Sequence, residues 1–179
     1  MNATPPLPTA EDLASLPYFA ILALGARCAK RVAPIFGTWD GATQEQVRAV
    51  SRAARSVQEL AESPSMVSRV PLWVSARQFT RMAAEAASAA DMAEAPVTIL
   101  SSADAAAELA GAIDPDGNRA PAARAVLRSI EMAAEALDDG EEQKRQEFLG
   151  WVGQLVEQLQ ERAVTEGWTD LTAVTIRDE

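Results

Sequence analysis

Residues 83–93 read AAEAASAADMA, and this density of alanine is what most limits the folds open to the chain. Alanine loses no side-chain entropy in a helix and lets two backbones approach closely. About a fifth of the 179 residues are alanine, while aromatics make up only 5%. A core must therefore come from helices packed close together, and the composition points to an all-α fold.

Periodicity and capping signals give five to six helices in a single-domain bundle. Residues 1–14 read as a disordered Pro-rich leader and 15–179 as the helical domain. A first helix runs from near Leu16 to Phe36 and stops at GTWDG, residues 37–41. Thr43 with Gln46 three residues on forms a capping-box pattern for a second helix ending near Glu62. Pro71 stands where a third helix can start, running to about Glu94. Between Ala95 and Pro121 the signal weakens: PVTIL reads as a short extended piece, SADAAAELAGAI as a short helix capped by Ser102, and DPDGN as a turn. A helix over 121–137 follows, broken by DDG. The last long helix spans about 141–166, with Phe148, Val152, Leu155 and Leu159 at helical spacing. The end, WTDLTAVTIRDE, alternates weakly and reads as a tail or a packed strand-like segment.

The chain has no histidine and one cysteine. That removes a Ser-His-Asp triad, a Cys-His dyad, histidine-ligated metals and internal disulfides. Paired carboxylates such as Glu131 and Glu135 lack the Glu-x-x-His motif of helical di-metal sites. DPDGNR, residues 114–119, resembles a calcium loop in its alternate oxygen donors but carries Arg119 and Ala125 where glycine and glutamate are needed. No phosphate-cradling glycine loop occurs. The expectation is a non-catalytic protein without cofactor or metal. The apolar stretch between Pro17 and Arg27 is too short to span a bilayer and no secretory pattern opens the chain, which reads as soluble and cytoplasmic.

Charge is unevenly placed. Residues 1–90 carry nine basic and seven acidic side chains, residues 91–179 seven and nineteen. The second half is an acidic surface that repels nucleic-acid phosphate and attracts cationic partners. Its densest run, Asp138, Asp139, Glu141 and Glu142, is a candidate contact patch, although carboxylates at a helix N-terminus also have a structural explanation. Arginines recur at helical spacing: Arg27 and Arg31, then Arg48, Arg52 and Arg55, then Arg77 and Arg81. Facing one another they would form an anion site; paired with Glu45, Glu59 and Glu85 on their own helices they are ordinary ion pairs. Cys28 lies amid Arg27, Lys30 and Arg31, which can activate a thiol. On a helical wheel it falls in the apolar stripe with Leu24, Val32 and Ile35, which predicts a buried, inert thiol.

Residues 24–36, LGARCAKRVAPIF, resemble the first-helix motif WAADCAERVLPLF of a family of immunity proteins from bacterial polymorphic toxin systems. The alanine-rich residues 83–93 are similar to the small-residue helix of that family, and the resemblance covers about residues 16–94. Here Leu24 replaces the tryptophan, Arg27 and Lys30 replace acidic residues, and Asp91 stands in place of a histidine. The resemblance implies a helical fold and tight binding to a toxin without catalysis, with Arg27, Lys30 and Arg31 as further candidate partner-binding residues. The alternative is a structural or scaffolding bundle that self-associates as a homo-oligomer.

Overall fold

A helix that is apolar on every side must be buried, and the stretch YFAILALGA, residues 18–26, is such a sequence. In the computed structural model, which describes residues 7–138, 140 and 142–176, all nine of these residues are buried. They open α2 (Tyr18–Phe36), the central helix, preceded by a short α1 (Ala10–Ala14). Around α2 stand α3 (Gln44–Glu62), α5 (Val97–Ala107) and α6 (Arg119–Ala136), with α7 (Glu142–Thr165) touching it more lightly. The long α4 (Met66–Met92) forms an outer layer against α3 and α5, and a 3₁₀ helix (Glu108–Ala112) extends α5.

The all-α class expected from composition holds. The helix count rises to seven α-helices among the described residues, for identifiable local reasons. Within the leader expected over 1–14, Thr9 accepts from the Asp12 N–H while Asp12 bonds the Thr9 N–H, a capping box that closes α1 and buries Leu13. PVTIL is helical from Val97, directly after Pro96, not extended. Ser102 is no cap: it is buried inside α5 and donates to the Ile99 carbonyl. Pro71 does not start α4. Ser65 caps that helix instead, accepting from the Ser68 N–H, and Pro71 stands in its second turn. The proline deprives the Val67 carbonyl of its helical donor, but this turn is exposed, so water can take the place. The Thr43 and Gln46 capping box and the end of α3 at Glu62 stand as the sequence predicts.

Small residues let the helices close on α2. A Cβ on Gly25 would sit 2.7 Å from Val126 Cγ2 and 2.8 Å from Leu109 Cδ2, so the glycine sets how near α6 and the 3₁₀ helix approach. The inward face of α4 is largely alanine, with Ala76, Ala83, Ala86, Ala87 and Ala90 buried. One core cluster runs through all seven helices.

The C-terminal segment after α7 turns at residues 166–167 and again at 170–171 and is tied to the core by polar bonds. The Val174 N–H donates to the Ala61 carbonyl, and the Asp170 carboxylate accepts the Tyr18 N–H at the start of α2. Asp170 also takes both arms of the Arg119 guanidinium, at 2.6 and 2.8 Å, joining α2, α6 and the segment. The Tyr18 hydroxyl donates to the Ala112 carbonyl and accepts from the Asp114 N–H. Burial pushes that hydroxyl's pKa up to about 12, so it stays protonated. No helix among the described residues is long and apolar enough to cross a membrane.

Candidate functional site

The cysteine that opens the question of reactivity is closed to chemistry. Cys28 is fully buried, and burial pushes its pKa up to about 12 against the weaker opposing pull of Arg31 and Arg27. A thiol held neutral is neither nucleophile nor metal ligand.

The arginine stripes do not gather into one anion site. Arg31 lies 4.6 Å from the Trp151 ring centroid and 6.0 Å from that of Phe148, joining α2 to α7. Arg52 lies 5.5 Å from the Phe79 ring, joining α3 to α4, and Arg81 pairs with Glu85 on its own helix. Lys30 reaches Gln58 at 3.5 Å. With few aromatic rings available, the fold uses guanidinium planes as their partners. A groove of about 720 Å³ between α7 and the C-terminal segment is lined by Arg27, Trp151, Gln154, Gln158, Arg162 and Thr175, among others. Its two arginines hold the segment itself: Arg27 donates to the Ile176 carbonyl, and Arg162 to Glu166 and to the Thr175 carbonyl.

DPDGN is the turn that the sequence predicts. Asp114 accepts from the Asp116 N–H and from the Asn118 amide, and Gly117 takes the left-handed conformation that glycine favours, at φ 68°. The same two bonds, Asn118 first, hold the Asp114 carboxyl below its usual range. Among the described residues no group of three or more acidic or cysteine side chains is arranged to hold a metal ion.

One grouping of acidic side chains spans three helices. Asp104 on α5 is half-buried, and its carboxyl is pushed up first by burial and then by the charges of Glu108, Asp91 and Glu135. Asp104 and Glu108 are one turn apart on α5 and its 3₁₀ extension, while Asp91 comes from α4 and Glu135 from α6, so three separate helices supply the group. Ser101 donates to Glu135 at 2.9 Å, which fixes that carboxylate between α5 and α6, and Arg128 pairs with Glu108 at 2.7 Å. Glu131 and Glu135 lie four residues apart on α6 and Asp138 follows just past its end; all three are exposed, as is Glu142 at the start of α7. Of the predicted acidic run, Asp138 and Glu142 are thus exposed, while Asp139 and Glu141 lie outside the described residues. Arg27, Lys30 and Arg31 lie on α2 and turn to other neighbours: Arg27 to the C-terminal segment, Lys30 to α3 and Arg31 to the rings of α7.

In comparisons with known proteins, no family model, no curated protein and no solved structure matches the chain. Fold and site therefore define a class alone: an alanine-rich helical bundle with a concentrated acidic face.

Proposed function

We propose that the chain is a non-catalytic protein-binding module that docks a basic partner protein on its acidic face. The observation that supports this is the grouping of Asp91, Asp104, Glu108 and Glu135 from α4, α5 with its 3₁₀ extension, and α6. Like charges gathered this way oppose the free fold, and a cationic surface set against them relieves the repulsion. A concentrated field of one sign also speeds encounter and excludes partners of the wrong sign. The resemblance of residues 24–36 to immunity proteins gives the partner a class: a toxin with a basic active surface, which the acidic face would cover.

The test is affinity capture from the native cells with the wild-type chain and with an Asp91→Asn, Glu131→Gln, Glu135→Gln variant as baits. A basic protein held near one-to-one by the wild type, and at least tenfold depleted on the variant, is the expected result. Equal recovery on the two baits contradicts the reading.

A further inference from the structure

The short helix α5 turns a narrow face outward between two others: α4 and α6 both pack on it, and α2 closes its inner side. Most of α5 is buried, but the row Val97, Leu100, Asp104 and Ala107, at spacings of three and four, stays open. The row starts apolar, with Val97 58% exposed and Leu100 half-buried. Ser129 donates to the Ala105 carbonyl and Ser101 to Glu135, so α6 runs antiparallel to α5 and sets half-buried Met132 level with residues 101–105. Further along the row turns acidic: Asp104 has Asp91 and Glu135 on its flanks and Glu108 one turn on. The arginine at that end, Arg128, is bonded to Glu108 at 2.7 Å.

Charge and shape select the occupant. An apolar start joined to an acidic end is matched by a segment with apolar side chains at one end and cations further along. An extended segment gains little here, because α5 spends its backbone groups within the helix and no sheet edge among the described residues offers a ladder to join. A helix satisfies its own backbone and spaces its side chains three and four apart, as the row does. From Val97 to Glu108 the row is about 16 Å long, which is room for about three turns of such a helix.

We propose that the outward row of α5 is where the basic partner docks, and that the part it presents is an amphipathic helix, with apolar side chains on Val97, Leu100 and Met132 and cations on Asp91, Asp104 and Glu135. This docking, which rests on the reading of the acidic face above, covers the most exposed apolar side chain of α5 together with the charges beside it. Lysine and arginine stems lie along apolar surface while their heads reach carboxylates, so one turn of the partner can serve both ends of the row.

Two synthetic peptides of about four turns decide it on the full chain: one places leucine at i, i+3, i+4 and i+7 among lysines, and the other has the same composition without helical period. By fluorescence anisotropy the ordered peptide binds the wild type at least tenfold tighter than the scrambled one. It also gains helix in difference circular dichroism and shifts amide resonances over residues 97–108. Val97→Lys, an exposed position whose variant should melt as the wild type does, weakens the ordered peptide at least fivefold more than the scrambled one. Equal binding of the two peptides, no binding, or shifts centred away from α5 overturns the proposal. Equal binding that is lost in the Asp91→Asn, Glu131→Gln, Glu135→Gln variant overturns this docking and leaves the acidic-face reading standing. Ordered-peptide binding that this variant keeps in full contradicts that reading, and the docking with it.

Discussion

The guanidinium of Arg69 lies 3.7 Å from the centroid of the Phe19 ring, so an arginine only 1% exposed caps the core beside the central helix. Its Nε donates to the Ser63 carbonyl and one terminal nitrogen to the Leu171 carbonyl, both at 2.9 Å. One side chain thereby joins α2, the α3–α4 corner and the C-terminal segment. Burial costs a charged group dearly unless such partners are supplied.

Replacing Arg69 by alanine removes the ring contact and leaves two carbonyls without their donor, which we expect to cost about 2–4 kcal/mol. Arg69→Lys keeps the charge but cannot serve both carbonyls with a planar fork, and should recover less than half of that loss. Urea unfolding midpoints measure both. A loss under 0.5 kcal/mol for Arg69→Ala would show that the contacts are incidental.

Asp170 makes the fold sensitive to acid. Burial pushes its carboxyl up, but the Arg119 fork and the Tyr18 N–H together hold it below the usual range. A carboxyl with a lowered folded pKa stabilises the protein above its unfolded value, about 3.9, and that contribution disappears as pH falls through the folded value. Asp170→Asn should cost about 1 kcal/mol at pH 7, modest because the pair is partly exposed, and the variant should lose less stability on acidification below pH 4. Thermal melts at pH 7 and pH 3 compare the two proteins. Parallel acid losses would remove Asp170 from the account.

Glu94 carries a backbone cost. It takes φ 53° in the turn that ends α4, where the Ala95 N–H bonds the Ala90 carbonyl and the Glu94 N–H the Asp91 carbonyl. This is the Schellman arrangement, whose left-handed residue is usually glycine. Glu94→Gly should therefore stabilise the chain by about 0.5–1 kcal/mol, which a chemical denaturation curve will read. A destabilised variant would place the glutamate side chain in a role that its backbone conformation does not reveal.

Asp104 reverses the sign of Asp170. Its raised folded pKa means that stability falls as pH rises from the unfolded value toward the folded one, and stays lower at neutral pH. Asp104→Asn is expected to stabilise by about 0.5–1 kcal/mol at pH 7, the scale of partly exposed charge pairs, and by nothing at pH 3. Carbon-13 titration of the Asp104 carboxyl, expected to move only partway toward its ordinary value in Glu135→Gln, checks the contribution of a neighbouring charge beside the larger effect of burial.

Local chemistry was the part of this structure that could be read in advance. The Thr43 and Gln46 cap, the Glu62 end of α3, the DPDGN turn and the burial of Cys28 each depend on neighbours within a turn or two of chain. The start of α4 was misread because Pro71 is a strong signal, whereas the Ser65 cap that outweighs it is three hydroxyls in a loop. What escaped altogether joins distant positions: Asp170 with Tyr18, Arg69 with Leu171, and Asp104 with Glu135. Periodicity reports which side of a helix is apolar and carries no information on which other helix it meets. The acidic run at 138–142 is visible in the sequence, whereas the grouping of Asp91, Asp104 and Glu135 joins three helices and is not.

The central claim, that the acidic face holds a basic partner, is tested most directly by calorimetric titration of the captured partner into the wild type and into the Asp91→Asn, Glu131→Gln, Glu135→Gln variant, at about 50 and 200 mM salt. The account predicts one-to-one binding to the wild type, at least tenfold weaker in the higher salt, and a variant that binds weakly with little further salt dependence. Equal affinity for wild type and variant, unmoved by salt, would contradict it.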